Sequence, residues 1–163
     1  MSYPDPRYLG DTGEVSAWFR PASTPPDLPR PGGGAASYLA TGATTDGRFG
    51  LYRWDMSPEP GGADPHFHRT FSESFFVLSG TVQLSDGRDW TDAHPGDFAY
   101  VPEGGLHGFR NRSGEPASLL ILFAPGAPRE AYFEGLVRFA DGSWKPSHEE
   151  LLAFFEEHDN IYV

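Results

Sequence analysis

At 163 residues the chain is long enough to bury one core and short for two. Twenty-three acidic against twelve basic residues leave a formal charge of −11, which repels phosphate backbones and anionic lipid, so neither nucleic acid nor a membrane is an expected partner. The absence of cysteine removes disulfides, thiolate catalysis, zinc ribbons and iron–sulfur clusters, and leaves histidine and carboxylate as the metal ligands on offer.

Residues 1–34 are rich in proline, glycine and polar side chains and read as an extended N-terminal arm, in which only Val15 to Phe19 has the composition of a short strand. The start has neither a basic segment nor an apolar core of a leader, and no apolar run approaches the roughly 18 residues that span a bilayer. A soluble, cytoplasmic protein is therefore expected. Over 35–125 short aromatic and branched runs alternate with turn signals such as Thr-Thr-Asp-Gly and Ser-Asp-Gly-Arg. That pattern predicts many antiparallel strands and an all-β sandwich or barrel. Residues 126–163 switch to helical spacing. Tyr132, Phe133, Leu136, Val137 and Ala140 fall on one face, Asp141-Gly142 is a stop, and Ser147-x-x-Glu150 is a capping box opening a second helix. Ile161 to Val163 end the chain as a possible strand.

Two blocks carry the chemistry. Gly61 to Gly80 reads G-x4-H-x-H-x4-E-x6-G, and Gly96 to Asn111 reads G-x5-P-x-G-x2-H-x3-N. Strand alternation turns His66 and His68 to the same side, with Phe67 opposite. Glu73 follows after a turn's length of chain, and His107 arrives from a turn formed by Pro102, Gly104 and Gly105. Three neutral imidazoles and one carboxylate around a divalent cation leave a charge of about +1 and, for an octahedral ion, open positions for substrate or dioxygen. The set accepts iron, manganese, nickel, cobalt, copper or zinc without preference.

The two blocks resemble the paired motifs of the cupin superfamily, G-x5-H-x-H-x3,4-E-x6-G and G-x5-P-x-G-x2-H-x3-N. The second motif is complete, as Gly96, Pro102, Gly104, His107 and Asn111; in the first, the leading glycine is Gly61, one residue nearer than the pattern, with Pro60 in its place. The resemblance implies a jelly-roll β-barrel over 35–125 with C-terminal helices packed outside, and one metal ion inside held by His66, His68, Glu73 and His107. The whole chain also resembles single-domain, quercetin-dioxygenase-like cupins. That narrower likeness implies a dioxygenase acting on a small hydroxylated aromatic or enolisable substrate, with Glu73 as ligand and proton acceptor. A non-redox isomerase or polyketide-type cyclase, or a non-catalytic small-molecule binder, uses the same parts, because fold does not dictate reaction. A homodimer is expected, since cupin barrels commonly pair.

If Glu73 faces inward, so do Phe75 and Val77, and His107 brings Phe109 with it. These side chains, with Tyr52 and Trp54, are the expected pocket walls. Which face of the strand bearing Tyr52, Trp54 and Met56, or of that bearing Phe98 and Tyr100, is internal depends on register. His94 reads as a surface residue, His148 as a structural residue in the first turn of the second helix, and His158 as a cation at a helix C-terminus.

Overall fold

The computed structural model describes residues 2–163. Its strands are β1 (Leu28–Pro29), β2 (Ala35–Ala40), β3 (Gly50–Met56), β4 (Gly61–Phe67), β5 (Ser72–Ser79), β6 (Val82–Ser85), β7 (Trp90–Ala93), β8 (Phe98–Val101), β9 (His107–Asn111), β10 (Ala117–Ala124) and β11 (Ile161–Tyr162). Helices α1 (Glu130–Ala140) and α2 (His148–Glu157) separate the last two strands. All pairings are antiparallel, in a six-stranded sheet ordered β1-β2-β3-β10-β5-β8 and a five-stranded sheet ordered β11-β4-β9-β6-β7. This is an all-β jelly roll of two facing sheets, with both helices outside them.

Register decides what faces inward. Trp54 lies opposite Leu119 and Tyr52 opposite Ile121 across β3 and β10, while Phe75 and Val77 lie opposite Ile121 and Leu119 across β5 and β10. These side chains are all buried, and Phe109 of the facing sheet packs edge-on against Trp54. Their burial removes several hundred Å2 of apolar surface from water, the principal force holding the sheets together. Phe98 and Tyr100 alternate the other way and stand about three-fifths exposed on the outer face of β8.

Gly62 is needed for close approach. A Cβ on Gly62 would lie 2.0 Å from the Phe109 carbonyl oxygen, so only glycine lets β4 lie against β9 there. The first motif's leading Gly61 meets no such obstacle.

Helix α1 is fastened over one end of the two sheets. The Tyr52 hydroxyl donates to Glu130 Oε1 at 2.5 Å, and Phe133 packs edge-on against Tyr52 and tilted on Trp54. Its buried face is Tyr132, Phe133 and Gly135, with Leu136 and Val137 half-buried and Ala140 exposed. The stop is real: Asp141 caps α1 and Gly142 follows at φ 75°. Helix α2 opens on the reciprocal box, Ser147 Oγ accepting from Glu150 N and Glu150 Oε2 from Ser147 N, an arrangement that contributes about 1 kcal/mol. The chain then turns back through Asp159, at φ 53°, into β11, which pairs with β4 so that Tyr162 lies opposite His66.

Two expectations are corrected. Val15 to Phe19 forms no strand; Val15 and Phe19 project into solvent and pair with no strand among the described residues, and strand propensity without a pairing partner does not make a strand. His158 is not poised as a cation. It is half-buried, and burial first and the Arg129 charge second hold its imidazole below its ordinary pKa. His94 is exposed as expected, and His148, in the first turn of α2, is exposed as well. Among the described residues, no helix is long and apolar enough to cross a membrane.

Candidate metal centre

His66 lies near the end of β4, His68 just beyond it, Glu73 at the start of β5 and His107 at the start of β9. The β4–β9 register shifts between Ala63 and His66, so that His66 pairs with His107. Such a bulge turns a side chain inward at a strand's end. The turn expected at Pro102 to Gly105 is present: Gly105 N donates to the Pro102 carbonyl, and Gly104, at φ 79°, donates to the His68 carbonyl at 2.7 Å. That bond ties the second motif to the first. The four side chains are buried, and one ligand atom from each lies within 4.8 Å of the others.

The imidazoles are oriented from behind. Each Nδ1 faces a backbone carbonyl: His66 that of Asp64 at 2.8 Å, His68 that of Asp159 at 2.5 Å, and His107 that of Gly105 at 2.9 Å. A carbonyl only accepts, so each Nδ1 carries a proton, and any of these rings that is neutral offers an Nε2 lone pair. Yet His68 Nε2 and His107 Nε2 stand 2.9 and 2.8 Å from the same Glu73 Oε2. Lone pairs facing a carboxylate at that distance repel, so something positive belongs between them, either a second ring proton or a shared cation. A buried N3O donor set whose spare nitrogens are all turned to one centre fits a divalent transition ion.

Charges within the cluster follow from the same contacts. Burial would raise the Glu73 carboxyl, but hydrogen bonds from His107 and His68 outweigh it and hold the group well below the carboxylate range. Burial also opposes charge on His107, and the Glu73 contact overrides it, raising its pKa. His66 makes no such contact, and burial pushes it down to about 4. The raised pKa favours a proton on His107 in the metal-free protein, and a metal must displace it. Metal affinity should therefore rise with pH, and calorimetry in buffers of differing ionisation enthalpy should detect proton release on binding. Proton release of zero would place no imidazolium in the metal-free cluster.

A cavity of about 100 Å3 adjoins His66 and Glu73. Of the five side chains expected to wall it, Trp54 and Phe109 lie in its lining, and Tyr52, Phe75 and Val77 lie outside it. Tyr52 stands behind Phe123 and Phe133, which themselves line the cavity. Phe75 packs on His107 and Phe109, and Val77 is fully buried further along β5. The inner face of β5 is longer than the cavity, so only its Glu73 end reaches the opening.

The remaining walls were not among the expected residues. Tyr132, Phe133 and Leu136 of α1 form one wall, Tyr162 of β11 flanks His66, and Arg30 and Arg129 also belong to the lining. Arg129 donates to the His158 carbonyl and to Asn160 Oδ1, joining α1 to the tail. Asp159 fixes His68 through its carbonyl, and its Oδ2 accepts from Arg69 N, Thr70 N and Thr70 Oγ1 at 2.7–2.8 Å. An Asp-Asn pair just past a helix end was the one local signal that this tail turns sharply.

Comparison with known proteins agrees with the geometry. Residues 53–123 match the family described as Cupin domain. An uncharacterized protein of Aquifex aeolicus (strain VF5) is 36% identical over 61 residues, covering 37% of this chain and 50% of that relative. The chain thus spans about half the length of the curated relative it matches. A protein with a double-stranded β-helix domain from Klebsiella pneumoniae is similar in structure, with a TM-score of 0.52 and 24% identity over 61% of this chain and 84% of the other. An RmlC-like cupin from Shewanella frigidimarina has a TM-score of 0.51 and 20% identity over 62% and 82%. At these identities the likeness bears on the fold alone. Family match, sheet order and the two histidine-bearing blocks coincide on one stretch of chain, and residues 53–123 match the cupin domain family on a jelly-roll fold.

Proposed function

We propose that the chain is a mononuclear metal enzyme, with His66, His68, Glu73 and His107 as ligands, that oxygenates a small enolisable or hydroxylated substrate. The observation that carries this reading is the convergence of three tautomer-locked Nε2 atoms and Glu73 Oε2 on one buried point beside a cavity. A divalent ion bound there supplies Lewis acidity, which lowers the pKa of a substrate hydroxyl or enol. Glu73 supplies the base. Its Oε2 faces the two imidazoles, while Oε1 has no hydrogen-bond partner among the described residues, which leaves that oxygen to take the proton from a substrate in the cavity. Tyr132, Phe133 and Leu136 exclude water from the deprotonated substrate.

Size narrows the substrate. About 100 Å3 is less than the roughly 150 Å3 cavity that takes up benzene, so a flavonol enters only if α1 moves away, whereas a molecule of a few heavy atoms fits as the site stands. Oxygen-electrode traces on protein reconstituted with iron, manganese, nickel, cobalt, copper or zinc should show uptake with small enolisable substrates. No uptake with any metal removes the oxygenase reading. Turnover without oxygen would instead identify a non-redox isomerase or cyclase.

The chain is further proposed to act as a homodimer through the outer face of β5 and β8. Phe76 lies opposite Phe98 there, with Leu78 and Tyr100 beside them, all exposed and contiguous. A self-complementary patch of this kind suits a two-fold interface. Sedimentation should find a dimer for the native chain and a monomer for Phe98→Lys; a monomeric native chain contradicts it.

A further inference from the structure

The cavity beside the proposed ligands holds two guanidinium groups without a carboxylate partner. Arg129 is 3% exposed. Its Nη1 and Nη2 donate to two neutral acceptors, the His158 carbonyl at 2.7 Å and Asn160 Oδ1 at 2.6 Å, while its buried Nε has no hydrogen-bond partner among the described residues. Rings surround the charge, that of Tyr132 lying nearest at 4.2 Å from Cζ. Arg30 lies with Cζ 4.3 Å above the Trp54 ring and makes no ion pair among the described residues. The Trp54 Nε1 is likewise buried and unpartnered. All three residues line the cavity together with Glu73 and His66.

These unpaired groups are all donors. In a chain with nearly twice as many acids as bases, two cations have been set around one small cavity with none of those acids in ion-pair contact. Burying a cation without a paired anion, and an N–H without an acceptor, is costly, and a guanidinium does not escape by losing its proton. The missing partner is an acceptor that carries negative charge and enters from outside. Its size is bounded by the cavity, and a planar pair of oxygens matches the fork of an arginine edge.

We propose that the substrate carries a carboxylate, received by Arg129 Nε, Arg30 and Trp54 Nε1, while its enolisable oxygen is turned toward Glu73 and the metal ligands. The assignment of the reacting end rests on the function proposed above; the anion end does not. The substrate class is therefore a small 2-oxo or 2-hydroxy acid.

The test uses the full-length protein with metal removed and oxygen excluded, so that its outcome is independent of any oxygenase activity. Pyruvate is titrated while the side-chain N–H signals of Arg129 Nε and Trp54 Nε1 are followed by 1H–15N NMR, the latter assigned with Trp54→Phe. Saturable movement of both signals is expected, with the neutral analogue pyruvamide at least about tenfold weaker. Because Arg129 also joins α1 to the tail, the charge is removed at half-buried Arg30: Arg30→Gln should keep the dispersed amide spectrum and lose about tenfold in pyruvate affinity. Equal binding of pyruvamide, an unchanged affinity in Arg30→Gln, or shifts confined to the histidines with Arg129 and Trp54 unmoved would each overturn the assignment. Tighter binding of inorganic phosphate than of pyruvate would overturn the carboxylate class. Loss of metal binding in a separate experiment would remove the proposed function and leave this result standing.

Discussion

Glu73→Gln should reduce oxygen uptake with an enolisable acid by about 10²- to 10⁴-fold, the range expected when a positioned base is lost. The amide keeps the shape and one carbonyl oxygen, so part of the metal should remain bound. Turnover and metal content therefore separate in this variant. The separation matters because the carboxylate has two proposed duties, and only one of them, accepting the substrate proton, requires a basic oxygen beyond the one facing His68 and His107. Activity within a few-fold of the native protein, at equal metal content, would assign the proton to another group.

Asp159→Ala should weaken metal binding by about 10- to 100-fold, although Asp159 touches no metal-facing atom. Its carbonyl holds the Nδ1 of His68, and its carboxylate collects the backbone and side-chain donors of Arg69 and Thr70 between two of the ligands. Alanine loses the second role and is strained at φ 53°. Asp159→Asn retains an acceptor and tolerates that backbone, so it should lose less. Competition with a chromophoric chelator measures both. Native affinity in Asp159→Ala would mean that His68 is oriented without the tail.

The centre of the site was readable because strand alternation is a local rule. His66-x-His68 and the paired blocks specify which residue types converge, and the sheets bring them to one point. Alternation also turns Phe75 with Glu73 and Phe109 with His107, and both are buried. For Tyr52, Trp54 and Met56 the alternation was plain but its sense was not. It is decided by the pairing of Trp54 with Leu119, a partner 65 positions away in the chain.

The outer half of the site was not readable for the same reason. Arg129 and Asn160, or His68 and Asp159, meet only after both sheets and both helices are in place, and no periodicity relates them. The helical spacing of Tyr132 and Phe133 specifies a buried face without naming what it faces, which is the cavity beside the ligands. Val15 to Phe19 is the converse case, a local preference for strand with no tertiary partner to satisfy it.

The central claim is that His66, His68, Glu73 and His107 hold one divalent ion. Elemental analysis by plasma mass spectrometry of protein purified without chelators, alongside His66→Ala prepared identically, tests it most directly. Close to one transition-metal ion per native chain and a large loss in the variant are expected. A native chain with no bound metal after reconstitution, or a variant that retains the native amount, would contradict it.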